Sequence, residues 1–150
     1  DREGNIVDPS NYSYEYDAAS GNKNVRRHHV AILFDNSDLY DAVGSVFFKI
    51  VPKGTSIKKF TKGRKRITVK WKKQTTQTSG YQIRYSLKKD MSKSKTVTVK
   101  GNKKTIKTIK KLKAKKKYYV QIRTYKNVAN GPKYDKYYSD WSKVKTIKTK

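Results

Sequence analysis

The sequence predicts an all-β chain of two small modules, the second of them a seven-stranded β-sandwich. Three observations carry that prediction. Apolar and aromatic residues alternate with polar ones at period two in run after run, the pattern of strands with one buried face. Turn-forming clusters separate the runs: Ser20-Gly-Asn-Lys-Asn24, Thr78-Ser-Gly80, Lys100-Gly-Asn102 and Asn130-Gly-Pro132. No 3.6-residue apolar periodicity persists long enough to bury a helical stripe.

The first module, residues 1–51, holds three such runs. Tyr12, Tyr14 and Tyr16 share a face within Asn11–Asp17, Val30, Ile32 and Phe34 within His28–Phe34, and Val46, Phe48 and Ile50 within Ser45–Val51. Three strands make a small core, and domains this short are marginal alone. This module therefore either lacks its first strands or leans on its neighbour. Val51-Pro-Lys-Gly-Thr-Ser56 is the junction, since proline and glycine end one strand and open the next element.

The second module, residues 52–150, continues the alternation. Ile67, Val69 and Trp71 flank Thr68 and Lys70, and Tyr81, Ile83 and Tyr85 flank Gln82 and Arg84. Val97 and Val99 flank Thr98, Tyr118, Val120 and Ile122 flank Tyr119 and Gln121, and Val144–Ile147 closes the chain. The run Lys110–Lys117 offers only Leu112 and Ala114 as apolar residues, so it is not a helix.

Charge divides the chain at the same junction. Residues 1–50 carry five Lys or Arg against eight Asp or Glu, whereas residues 51–150 carry 33 against three, within an overall +27. A sign change this sharp marks a module boundary. There is no cysteine, which removes disulfides, thiol nucleophiles and zinc ribbons from consideration without assigning a compartment. No run approaches the roughly 18 apolar residues of a membrane span, so no membrane insertion is expected. The opening Asp1-Arg2-Glu3-Gly4 has neither an initiator Met nor signal-peptide character, the look of a fragment or processed product.

Residues 54–150 resemble a fibronectin type III domain. Trp71 ends the strand Ile-Thr-Val-Lys-Trp where that family places its core tryptophan, and Gly80-Tyr-Gln-Ile-Arg-Tyr85 resembles its third strand. Leu112 followed six residues later by Tyr118 matches its tyrosine corner, which implies a Tyr118 hydroxyl bonded back to backbone. Ala114 stands where the family often has proline. The lysine-rich phrasing (Lys-Lys-Leu-Lys-Ala-Lys-Lys-Lys, Tyr-Ser-Asp-Trp-Ser-Lys) is similar to modules in surface and secreted proteins of Gram-positive gut anaerobes. Residues 5–51 resemble the C-terminal part of a bacterial immunoglobulin-like repeat, through Asn11-Tyr12 with Tyr16, Asn24-Val25, and Tyr40 with Phe48-Lys49-Ile50, although Arg26 replaces the usual glycine. These resemblances imply a non-catalytic tandem accessory module, extracellular or on the cell surface, whose partners include neighbouring domains of the same polypeptide.

Catalysis needs positioned acids, a nucleophile or a metal, and the second module has only Asp90, Asp135 and Asp140, scattered among its bases. Asp35, Asp38 and Asp41 lack the glycine and closing glutamate of a calcium loop. His28 and His29 are adjacent on a strand and point to opposite faces. No catalytic residue, metal site or cofactor is therefore expected. What has physical force is the basic surface. Lys70, Arg84 and Arg123 alternate with core residues, which predicts that they face solvent, and Lys103–Lys117 adds a dense lysine run. Such a field attracts polyanions weakly and in a salt-sensitive way: cell-wall polymers, acidic glycans or nucleic acid. Near the last hairpin Tyr125, Tyr134, Tyr137, Tyr138 and Trp141 interleave with the charge. If exposed and coplanar they suit a dedicated carbohydrate-binding module by stacking, and if packed they are ordinary strand residues. A nucleic-acid-binding protein is a further alternative on charge alone, because no readout motif is present.

Overall fold

The computed structural model of the chain describes residues 12–16, 27–34 and 44–150. The expected turn at Ser20–Asn24 and the acid-bearing loop around Asp38 lie outside them. The chain divides into two compact units, Asp1–Ile50 and Val51–Lys150. Every described element is a β-strand.

In the first unit β1 (Tyr12–Tyr16), β2 (Arg27–Phe34) and β3 (Gly44–Lys49) form an antiparallel sheet in the order β1-β2-β3. Tyr14 stands in register with Ile32, Tyr16 with Val30, and Val30 in turn with Val46. The alternating sets read from the sequence thus occupy matching positions across all three strands.

The second unit is a two-sheet sandwich. One sheet runs β4-β5-β8, with β4 at Ile57–Gly63, β5 at Arg66–Trp71 and β8 at Ile106–Ile109. The other centres on the long β9 (Lys117–Asn130), which pairs β6 (Gly80–Ser86), then β7 (Lys95–Lys100), on one side. On its other side β9 receives two segments, β10 (Lys133–Tyr138) along its C-terminal half and β11 (Lys145–Lys148) along its N-terminal half. The seven-strand plan is therefore built from eight segments, because the last strand is interrupted between Tyr138 and Lys145.

The alternating residues meet between the sheets. Ile67, Val69 and Trp71 of β5 are buried against Tyr81, Ile83, Val120 and Ile122 of β6 and β9, with Phe60, Tyr85 and Ile147 packed at the margin. The rings of Trp71 and Tyr81 meet in the core in a tilted contact, with centroids 5.2 Å apart. The Trp71 indole N–H is buried without a partner. That costs roughly 1–3 kcal/mol, less than the several kcal/mol that burying a tryptophan ring contributes. The Tyr81 hydroxyl is better served, donating to the carbonyls of Gln74 and Asn102 and accepting from the Gln74 N–H.

Tyr118 closes its corner as the resemblance implied: its hydroxyl accepts the Lys113 N–H at 2.9 Å, while Leu112 is buried beneath the turn. With Ala114 in place of proline, the turn is formed with Lys111 and Lys115 in the left-handed region, at φ 58° and 54°. The 51–56 segment is fixed to this second unit. Pro52 is fully buried, and the buried Thr124 hydroxyl donates to the Lys53 carbonyl at 2.9 Å.

Candidate functional site

The interruption of the last strand creates the most organised polar constellation in the second unit. At Ser139 and Ser142 the chain stays beside β9 but changes how it bonds. Ser139 N–H donates to the Thr124 carbonyl at 3.2 Å, and the Thr124 N–H returns to the Ser139 hydroxyl at 3.1 Å. Ser142 repeats the exchange with Ile122, at 2.8 and 3.1 Å. In an uninterrupted ladder β9's N–H groups would find carbonyls. Here two serine hydroxyls replace them, so the ladder survives while Asp140 and Trp141 bow out of register.

That bow sets Trp141 over the outer face of β6 and β9. The Arg84 guanidinium lies 4.4 Å from the Trp141 ring centroid, and Arg123 lies 4.3 Å from the same ring and 3.8 Å from that of Tyr138. Charge and ring thus alternate as Arg84, Trp141, Arg123, Tyr138, each contact a favourable cation–π pairing. The guanidinium edges are occupied too. Arg123 stands in register with Gln82, and Arg84 with Gln121. Arg123 donates through Nε and Nη2 to Gln82 Oε1 at 3.0 and 2.8 Å, and Arg84 donates through Nε to Gln121 Oε1 at 2.9 Å. Gln121 then donates to the Ser142 carbonyl at 2.6 Å, which ties the cluster back to the interrupted strand. Burial lowers both guanidinium pKa values from their ordinary range, and Arg84 adds repulsion at Arg123.

Five of the eight residues singled out from the sequence therefore meet on one face: Arg84, Arg123, Tyr138, Trp141 and, beneath Tyr138, Tyr125. Two expectations are corrected. Arg84 and Arg123 do not project freely into solvent: both are half-buried, each lies against a ring, and each donates to a glutamine on the neighbouring strand. Tyr125 is not a surface ring. It is only 4% exposed, lying across Gly80 and tilted 51° to Tyr138 at a centroid distance of 6.4 Å. Its lack of a water-facing edge pushes the phenol pKa up, and Tyr138 adds to this. Of the remaining three, Tyr137 is half-buried, Tyr134 stands out at 69% exposure on β10, and Lys70 is exposed on the other sheet.

The sequence reading missed Gln82, Gln121, Ser139 and Ser142. Their signal is present in retrospect: a Gln-x-Arg on β6 opposes a Gln-x-Arg on β9, and a Ser-x-x-Ser follows. Asp90 and Asp135 pair locally, away from the cluster. The Asp90 carboxylate accepts from the N–H and hydroxyl of Ser92, and that of Asp135 from the Asn130 amide. Among the described residues no group of acids and histidines is arranged to hold a metal.

The family description of the fibronectin type III domain matches residues 51–139, more than half of the chain. The chain belongs to the fibronectin type III family. Its fold is also that of a two-domain fibronectin type III segment of chicken tenascin, at 20% identity and TM-score 0.51, covering 83% of this chain and 66% of that one. The FN1–FN3 domains of chicken CNTN1 match at 18% identity and TM-score 0.52, covering 84% of this chain and 43% of that one. A β-1,2-glucanase from Parabacteroides distasonis matches at 16% identity and TM-score 0.50, covering 81% and 18%. The chain thus spans less than two thirds of each of these structures, and at such identities the likeness shows the fold alone. No curated protein matches the chain. Fibronectin type III domains are as a rule non-catalytic structural or binding modules of extracellular or surface proteins. Among the described residues no helix is long and apolar enough to cross a membrane.

Proposed function

We propose that this chain is a spacer and presentation unit of an exported bacterial surface or secreted protein. In this reading residues 1–51 are the C-terminal part of an immunoglobulin-like repeat and residues 52–150 the fibronectin type III module after it, holding neighbouring domains apart and adhering weakly to wall polymers or acidic glycans. The observation that carries it is the internally paired cluster of Arg84, Trp141, Arg123 and Tyr138, in which both guanidinium groups lie against rings and donate to strand glutamines of the same fold. The best-built polar site thus locks the sandwich rather than receiving a ligand. Weak adhesion falls to the exposed cations, among them Lys59, Arg66 and Lys70 on the β4-β5-β8 sheet and Lys110 just past β8. Among the described residues of the second unit, a dedicated carbohydrate-binding site has only Tyr134 as a strongly exposed ring, and one ring is a poor platform.

Binding of the chain to purified teichoic acid, a neutral polysaccharide and DNA across a salt series tests this reading. Binding to every polyanion that falls steeply with salt, and is unchanged in a Tyr134→Ala variant, supports the spacer with a solvated basic coat. Retention of one polymer at physiological salt, abolished by Tyr134→Ala, overturns it in favour of a dedicated glycan site.

A further inference from the structure

At one end of the sandwich, the loop of residues 87–94 joining β6 to β7 faces the tyrosine-corner loop of residues 110–116, and between them lies a hollow of about 300 Å³. This lies at the lower bound of cavities that hold small ligands.

Its walls are fixed. The Ser86 hydroxyl donates to the Ser92 carbonyl at 2.8 Å and accepts the Lys88 N–H at 3.0 Å, while Asp90 clamps Ser92 from within the loop. On the facing side the Tyr118 hydroxyl holds the Lys113 N–H, and the Thr149 hydroxyl donates to the Lys113 carbonyl at 2.7 Å. The floor is apolar, lined by Leu112 and by the rings of Tyr85 and Tyr118, which meet each other at a centroid distance of 6.3 Å, and Leu87 is exposed at the lip. The rim is cationic: Lys88, Lys93, Lys95, Lys111 and Lys113 all line it, no carboxylate among the described residues does, and the Asp90 carboxylate of the same loop is taken up by Ser92 with Lys88 nearby.

The backbone adds an independent observation. Six described non-glycine residues have positive φ, and Met91, Lys93, Lys111 and Lys115, four of the six, lie in these two loops. Left-handed backbone favours glycine, and this chain uses glycine for it at Gly101 and Gly131. At the mouth of the hollow it keeps lysine at φ 52° and 58°, at Lys93 and Lys111, as it does at Lys65 and Lys115, which do not line the hollow. What distinguishes Lys93 and Lys111 is that this backbone places them on the two facing loops at the edge of one apolar hollow.

We propose that this hollow binds a small amphiphilic anion, a ring-sized apolar group seated on Tyr85, Leu112 and Tyr118 with a sulfate, phosphate or carboxylate held by Lys93 and Lys111. Charge alone does not satisfy the site, because its floor must also be covered. The proposal is therefore independent of adhesion to polymers, which calls for charge alone.

Backbone amide NMR of the ¹⁵N-labelled full chain tests it, with p-toluenesulfonate, inorganic sulfate and benzyl alcohol as probes at matched ionic strength. The expected result is saturable shifts confined to residues 85–95 and 111–118, with p-toluenesulfonate bound about tenfold or more tighter than either half-probe, as burial of roughly two methylene equivalents gives. Equal affinity for sulfate, or shifts spread over the lysines of the whole chain, overturns the proposal. Lys93→Gly and Lys111→Gly relieve the left-handed strain, so each is expected to weaken p-toluenesulfonate several-fold while leaving the melting temperature unchanged or raised. Wild-type affinity in both variants overturns the assignment of those lysines. Leu87→Ser is expected to weaken p-toluenesulfonate and leave sulfate unaffected, and equal loss of both overturns the apolar contact at the lip.

Discussion

The outer faces of the two sheets carry the same sign of charge in opposite states. On β6 and β9 the cations are arginines in register with glutamines, roofed by Trp141 and Tyr138. On β4, β5 and β8 they are exposed. Lys59 stands in register with Lys70, while Arg66 and Lys110 share a shallow groove with Thr61, Thr68 and Thr108. The hydroxyls of Thr68 and Thr108 bond to each other at 2.8 Å, and β4, β5 and β8 contain no acid. Arginine's planar group takes hydrogen bonds at its edge and a ring on its face at once, whereas an ammonium on a flexible stem stays hydrated. A count of bases thus overstates how many are free to meet a partner. The fixed face holds the fold, and the bare face repels itself and invites anions.

The strongest way to break this contrast is through the fixed face. Gly80 begins β6 where a Cβ would stand 2.4 Å from the Val99 carbonyl oxygen and 2.8 Å from the Tyr125 ring. The carbonyl cannot retreat without opening the β6–β7 ladder. Gly80→Ala is expected to destabilise by about 3 kcal/mol, the upper range of overpacking, measured by denaturant unfolding. Next comes Trp141→Ala, which strips Arg84 of its ring and leaves Arg123 only that of Tyr138, and is expected to cost about 2 kcal/mol. Lys70→Ala on the bare face should change stability by less than about 0.5 kcal/mol. Equal effects of Trp141→Ala and Lys70→Ala would erase the distinction between the faces. Ser142→Ala leaves the Ile122 N–H without its hydroxyl acceptor and is expected to cost about 1 kcal/mol. The smallest effect sharpens the other side. Lys70→Glu converts the like-charge pair with Lys59 into an attractive one, and a gain of a few tenths of a kcal/mol, vanishing at about 1 M salt, is the expected outcome in thermal melts.

The core was legible because burial on one side forces period two. Ile67, Val69, Trp71, Tyr81, Ile83, Val120 and Ile122 are all buried as the alternation requires. The tyrosine corner was legible because Leu112 and Tyr118 are tied by a fixed spacing. Three strands were not. β4 buries only Ile57 of its seven residues, so its Ile-Lys-Lys-Phe-Thr-Lys-Gly carries no period-two signal. β8 lies inside a lysine run, and only Ile109 of its four residues is buried. β10 buries none of its residues fully, so its Lys-Tyr-Asp-Lys-Tyr-Tyr shows no apolar alternation. The cluster was half legible. The rings and arginines stood out as types, but their meeting depends on a register between β6 and β9 and on two serines replacing carbonyls, neither of which leaves a hydropathy signal. Nor does any local pattern announce lysines in left-handed backbone.

The first and last strands of the second unit also decide how it carries load. The Lys145 ammonium donates to the Ile57 carbonyl, and the Lys150 N–H donates to the Gly63 carbonyl while the Lys65 N–H returns to the Lys150 carbonyl. β4 and β11 therefore lie side by side, running the same way. A tension applied between residues 51 and 150 drags these two neighbours past each other lengthwise, so their ties and the packing of Ile57, Phe60 and Ile147 resist together instead of unbuttoning one after another. In a string of domains under flow, such a link yields late and abruptly.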